Sequence, residues 1–346
     1  MPHVPAPGPH TRFRGSRLVF AEALTLAALL ILPFLVQDAL TVFMTRVLLL
    51  CLLALSFDLA WGYGGIMSFG QALYFGSAGY AGSLLAREFG IGSLVIILPV
   101  AVVVGMALAA AVGALILLAK RPPALIVIAL GSLSGAYIAE RLVRGWYWLG
   151  GQNGIAGLPY PKLFGHEVAE GRPYYLLALV ALLIAYLVAR ILVRSQFGLS
   201  LAAARQNETR TLFLGAPVQT MKLLVFTLAG GIAGLGGGLF AFHEGFVGPV
   251  VLGVALSTRA VVSVLLGGAG TLIGAVLGTI GIEIAGYLLA DRFADAWPIL
   301  LGGILLAVVV IQPAGLVGLF TSAEARMGHF GPRRALRRLA VKANEQ

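Results

Sequence analysis

The sequence predicts an all-α polytopic membrane protein with about ten transmembrane segments, some short or broken, and both termini cytoplasmic. Three observations carry that expectation. Hydrophobic residues fill 59% of the 346 positions and charged residues only 11%, against roughly 25% charged in a soluble domain. The apolar residues form long runs, and a spanning helix takes roughly 20 of them. The cations sit beside those runs, as in proteins whose cytoplasmic loops are basic.

The runs follow in order. Residues 18–36 form the first, with Pro33 as a kink, after Arg12, Arg14 and Arg17. This run is long for a signal-peptide core, and no small-x-small cleavage site follows it, so a retained first span is expected. Residues 39–60 form the second. A glycine-rich stretch, WGYGGIMSFGQALYFGSAGYAG (61–82), leads into a third that ends near Arg87 and Glu88. Residues 94–118 form the fourth, closed by Lys120 and Arg121. Pro122 and Pro123 then open a fifth, as proline suits a helix start. Residues 145–173 are rich in glycine, proline and aromatics, with Trp146, Tyr147 and Trp148 as an interfacial belt. Residues 174–193 and 221–242 flank the longest polar interior segment, 194–220. Two shorter runs, 254–266 and 275–289, surround GGAGTLIG (267–274), and 297–311 precedes a basic tail.

The net charge of +10 and pI of about 10.1 do not indicate nucleic-acid binding, which needs one contiguous basic face. Sixteen of the 24 cations fall in four segments next to apolar runs. Basic ends that are both cytoplasmic require an even number of crossings. Counting 254–266 and 275–289 separately gives ten, and places 194–210 inside and 145–173 outside. The single cysteine, Cys51, lies in an apolar run and reads as a small buried hydrophobe.

Gly230, Gly234 and Gly238 are spaced by four, as are Gly105, Ala109 and Gly113, and Gly270, Gly274 and Gly278. Such faces let neighbouring helices approach closely. In 62–70 and 267–274 the glycines are dense enough to break a helix. Broken backbone at membrane depth is tolerated only inside protein or beside a water-filled path, and transporters place substrate sites there. Gly64, Gly65, Ser68, Gly70, Gln71, Gly267, Gly268, Gly270 and Gly274 are therefore the candidates for a translocation path.

The chain has no G-x-x-x-x-G-K-[ST] phosphate loop and no H-E-x-x-H or G-x-S-x-G pattern. No metal-ligand spacing is present among its histidines and cysteine, so no catalytic, metal or cofactor site is expected on it. His243 reads as a satisfied interfacial side chain. Within the runs stand Arg46, Asp58, Glu140, Arg141, Arg259 and Glu283. Ionisable groups there point to function, but Arg46, Glu140 and Arg141 are near enough to span ends to snorkel. Asp58 lies near the cytoplasmic end of its run, and Glu283 is the deepest carboxylate. One deep carboxylate is thin support for an ion-coupled secondary transporter.

The segment RSQFGLSLAAARQNETRTLFLGAPVQTMKLLVF (194–226) reads as a polar helix from Ser200 to Leu214, ended by Gly215 and Pro217. It resembles the coupling loop of permeases from branched-chain amino acid ABC importers, in Phe197, Gly198, Leu201, Arg205, Asn207, Glu208, Leu214, Gly215 and Lys222. It departs from that pattern at Leu199, Ala202, Gln206, Arg210 and Thr211. Four further motifs match in order: residues 61–82, GGQNGIAGLP (150–159), GFVGP (245–249) and LLGGAGTLIGAVLG (265–278). Together they resemble the permease of the pair that carries the long external glycine loop.

The resemblance implies a division into a cytoplasmic segment (1–17), a transmembrane permease domain (18–319) and a basic cytoplasmic tail (320–346), in a bacterial inner membrane. Phe197, Gly198, Arg205, Asn207, Glu208 and Gly215 would couple to the ATPase. Gly151, Asn153, Gly154 and Gly157 would lie in the external loop. The chain would not be an enzyme, because separate ABC ATPase subunits would bind ATP and Mg. A second homologous permease, a soluble substrate-binding protein and membrane lipid complete the expected partners. The same motifs fit permeases for urea, amides, an aromatic acid or a sugar, so the exact substrate is not readable from them.

Overall fold

The computed structural model describes residues 12–118, 125–290, 302–303 and 315–317. The expected last span (297–311), the basic tail and Lys120–Arg121 lie outside those residues or almost wholly so. The described chain folds into α1 (Arg12–Leu35), α2 (Asp38–Phe57), α3 (Gln71–Phe89), α4 (Leu94–Leu117), α5 (Leu125–Gly145), α6 (Arg172–Arg194), α7 (Gln196–Gln206), α8 (Glu208–Phe213), α9 (Val218–Glu244), α10 (Val254–Gly267) and α11 (Ile273–Ala290). Two-residue strands β1 (Ile155–Ala156), β2 (Lys162–Leu163), β3 (His166–Glu167) and β4 (Phe246–Val247) complete it.

Among the described residues, five helices are long and apolar enough to cross a membrane: α2 with the π-helical turn that continues it, α4, α5, α6 and α9. Shorter apolar helices are 21–35 within α1, α10, and most of α11. Helices α2 and α9 occupy the centre and are largely buried, whereas α4, α5 and α6 leave most of their apolar surface outward. A soluble protein does not expose such a belt, but lipid tails are as apolar as a core and cover it without loss.

Small residues set how closely α4 approaches the central α9. Helix α4 lies along α9 with Gly105 against Gly230 and Gly234. A Cβ on Gly105 would collide with the Gly230 carbonyl oxygen and stand 3.0 Å from the Gly234 Cα, tighter than ordinary packing. The two glycine faces read from the sequence are thus one interface. The third set joins a different pair of helices, as Gly274 and Gly278 press α11 against Gly267 and Ser263 of α10. The pairing 267–274, 263–278 and 259–283 makes α10 and α11 an antiparallel hairpin.

The loop 146–171 is clasped to the rest of the fold. Strand β1 pairs antiparallel with β4, Ile155 opposite Val247, while β2 pairs with β3. Arg87, at the end of α3, donates to the Trp148 carbonyl at 2.7 Å. His243 corrects its expected interfacial place. It is buried against Tyr174, and its Nδ1 has no hydrogen-bond partner among the described residues.

Candidate functional site

Helix α2 does not end cleanly. Residues Asp58–Tyr63 continue it as a π-helix, a register that frequently marks functional positions. Gly64 N–H reaches the Leu59 carbonyl and Ile66 N–H the Ala60 carbonyl. The chain then runs irregularly to Gly70, which opens α3. Ser68 Oγ accepts from Gly70 N–H at 3.1 Å, and Ser132 Oγ of α5 accepts from Phe69 N–H at 3.0 Å. Gln71 is fully buried, and its Oε1 accepts from Ser56 Oγ at 3.3 Å, while Nε2 has no partner among the described residues. Gly64 is fixed by sterics, since a Cβ would stand 2.6 Å from the Ala60 carbonyl oxygen and 2.8 Å from Val225 Cγ1.

The second break is the turn of the α10–α11 hairpin. Gly268 and Gly270 have φ of 115° and 79°, and Leu272, unusually for a non-glycine residue, has φ of 53°. Thr271 closes the turn on itself: its hydroxyl donates to the Gly268 carbonyl at 2.7 Å and accepts from Gly274 N–H at 3.0 Å.

The two breaks meet. Asp58 is fully buried; its Oδ1 accepts from Gly270 N–H at 2.5 Å and its Oδ2 from Leu272 N–H at 2.9 Å. Charge-assisted bonds of this kind are the strong ones. They supply partners to two amides that the hairpin turn leaves free, and a buried amide without a partner is costly. Gly62 lies between, and a Cβ there would stand 2.6 Å from the Gly270 nitrogen. Sequence reasoning placed Asp58 near a span end and ranked Glu283 deepest. The structure buries Asp58 completely and gives it the central contacts. Only its place just before the glycine-rich stretch 61–82 hinted at this.

Segment 194–220 packs beneath these breaks. The expected single helix is two, because Asn207 is extended (φ −159°) and caps α8, its Oδ1 accepting from Arg210 N–H at 2.9 Å. The first helix also starts earlier than Ser200, at Gln196, with Ser195 as its cap. Gly198 lets α7 lie directly on the end of α6, where a Cβ would stand 2.8 Å from the Val193 Cα. Phe197, half-buried, packs against the core. Glu208 pairs with the largely buried Lys222, tying α8 to α9. Gly215, at φ 85°, ends the segment. Arg205 reaches from α7 to donate to the Gly62 carbonyl. Desolvation draws this guanidinium below its ordinary pKa, and the negative charge of Asp58 opposes the shift. In contrast, Leu199, Leu212, Phe213 and Leu214 point outward, Phe213 with 87% and Leu214 with 79% of its surface exposed.

At the opposite end, Gly154 lies so close to β4 that a Cβ would stand 2.8 Å from the Gly248 Cα. This joins the 150–159 and 245–249 motifs. Gly151 and Gly157 take positive φ beside it, and Asn153 is exposed in a short 3-10 turn. Nearer that end, Arg259 and Glu283 bridge α10 and α11. Arg259 Nη2 donates to Glu283 Oε2 at 2.7 Å, and Nε lies 2.7 Å from Oε1 without hydrogen-bond alignment. Glu283 is 4% exposed and the Arg259 side chain 41%. Among the described residues no three metal-ligating side chains come together.

Interrupted apolar helices whose breaks meet inside the bundle define a polytopic membrane transport protein, since irregular backbone at membrane depth is retained where a path needs it. Comparison with known proteins specifies the class. Residues 39–309 match the family described as branched-chain amino acid transport system / permease component, and the chain belongs to that family. It is 29% identical over 326 residues to the high-affinity branched-chain amino acid transport system permease protein LivM of Escherichia coli, covering 86% of this chain and 75% of that one. LivM of Salmonella typhimurium is 28% identical over 323 residues, with the same coverage. The autoinducer 2 import system permease protein LsrC of an Enterobacter species is 35% identical over 230 residues, 62% of this chain and 63% of that one. No solved structure matches the chain.

Proposed function

We propose that this chain is the channel-forming subunit of an ATP-driven importer for branched-chain or other hydrophobic amino acids, and that it works by alternating access. The observation that carries the reading is the exposed apolar tip of α7–α8. Leu212, Phe213 and Leu214 project from a capped, packed segment whose other side reaches the break at Gly62. Exposed aromatic anchors on a rigid support are the residues that dominate protein interfaces. The partner that fits is an ABC ATPase carrying ATP and Mg, since this sequence has no phosphate loop of its own. Two such ATPases, a second homologous permease and a soluble binding protein complete the assembly.

In this scheme ATPase closure displaces α7–α8, a rigid-body switch between two packed states, and the breaks at 62–70 and 267–274 line the path. The topology has ten crossings in a bacterial inner membrane. The termini and α7–α8 are cytoplasmic, and 146–171 is external, where the binding protein docks. The kinship with LivM supports amino acids as cargo. The LsrC match favours one second reading, a sugar-like autoinducer, through the same machinery. Reconstitution in liposomes separates these readings from secondary transport. Uptake should need ATP, the ATPases, the second permease and the loaded binding protein. Uptake driven by an ion gradient with this chain alone would refute the proposal, and ligand screening of the binding protein chooses between amino acid and sugar.

A further inference from the structure

Three segments far apart in sequence converge on Asp58. Helix α7 contributes Arg205, bonded to the Gly62 carbonyl. The π-helical end of α2 contributes Gly62 and Asp58 itself. The α10–α11 turn contributes the Gly270 and Leu272 amides. Gly62 sits in the last turn of its helix, where carbonyls lack intrahelical partners, so its acceptor is free for Arg205. The hairpin turn cannot satisfy those two amides from within: Thr271 is committed to Gly268 and Gly274. Nothing about a membrane helix's stability calls for a fully buried aspartate, because an ionisable group in a span is costly. What only a carboxylate provides here is two acceptors set side by side, one for each amide.

We propose that Asp58 is the positioning residue that makes the coupling segment and the α10–α11 hairpin move as one body. Arg205 carries displacement of α7 to the Gly62 carbonyl. The π-helical turn, where the hydrogen-bond register already shifts, gives at that point. Asp58, one turn away, carries the hairpin turn with it through both carboxylate oxygens. Gly62 keeps the three segments in contact, because any side chain there would press the Gly270 backbone away. The proposal rests on the importer reading, with α7–α8 as the ATPase-docked segment. It adds which residue passes the motion into the second break.

The test uses the complete reconstituted complex with Asp58→Asn. Asparagine keeps one acceptor and turns an NH2 toward an amide, so one of the two bonds is lost and replaced by donor against donor. Loss of one charged hydrogen bond corresponds to roughly tenfold or more in the coupled rate. Transport should fall by at least that factor, and the stimulation of ATP hydrolysis by the loaded binding protein should disappear. ATPase co-purification and basal hydrolysis should stay at the unsubstituted level, which a globally misfolded chain would not allow. Spin labels at Ala203 on α7 and Ala269 in the turn should keep one separation with and without trapped nucleotide in the parent complex. They should part in Asp58→Asn. If that variant does not accumulate, Arg205→Met, whose substituted side chain lies on α7 outside the bundle core, should part the labels in the same way. Stimulated transport within twofold of the parent in Asp58→Asn, or label separations indifferent to both substitutions, overturns the proposal. Absence of ATP-driven uptake by the unsubstituted complex overturns the importer reading and this proposal with it.

Discussion

Replacing Phe213 with alanine is the most direct probe of the proposed docking surface. The ring stands 87% exposed at the end of α8, and it enters no described aromatic pair or polar contact. A phenylalanine presents roughly 200 Å², so about 170 Å² of this one is open to a partner. At about 25 cal/mol per Å², complete covering is worth about 4 kcal/mol. Alanine retains its Cβ, and a docking cleft covers about half of the ring, so truncation should remove about 2 kcal/mol of binding, or roughly 30-fold in Kd. The assay is titration of purified ATPase onto the permease pair in nanodiscs, alongside a thermal melt of the pair alone. The melt should not move, because the ring supports nothing within the fold. Unchanged affinity would show that α8 is not the docked element, and an altered melt would show that Phe213 is structural.

Further outcomes are expected elsewhere. Arg259→Met should be more damaging than Glu283→Gln: the first strands a carboxylate that is 4% exposed, the second a guanidinium that is 41% exposed. Stranding a buried charge costs about 3–5 kcal/mol, so the two melts should differ visibly, and equal melts would place the pair in water. Gly105→Ala should push α4 off α9 and lower stability by about 1–3 kcal/mol, whereas Gly145→Ala, with open space around it, should leave the melt unchanged. Asn207→Ala removes the α8 cap at a cost of about 1 kcal/mol, read as faster amide exchange confined to 208–213.

Much of the architecture was legible in the sequence, for reasons that particular residues make plain. Both breaks were visible because glycine at 62, 64, 65 and 70, and at 267, 268, 270 and 274, exceeds what helix packing needs. The packing faces were visible because a spacing of four leaves no other use for so many small residues. Hydropathy did not distinguish centre from rim: α4 and α6 are more apolar than α9, yet α9 is largely buried and they are not. Lipid and core reward the same side chains, so hydropathy alone does not mark which helix meets protein on all sides. The role of Asp58 was hidden for another reason. Its partners are backbone amides 212 and 214 residues away, and no side-chain pattern announces an amide. The division of segment 194–220 at Asn207 was legible in principle, since asparagine competes for local backbone bonds and favours caps.

The distance between Asp58 and its partners also bears on how the protein is made. A ribosome adds about 5–20 residues per second, so the 212 residues separating Asp58 from Gly270 take on the order of 10–40 s to synthesise. During that interval α2 has left the ribosome, and the amides that will hold its carboxylate do not yet exist. The early half of the chain therefore waits on the late half. A nascent chain halted before residue 270 lacks both amides that hold the Asp58 carboxylate.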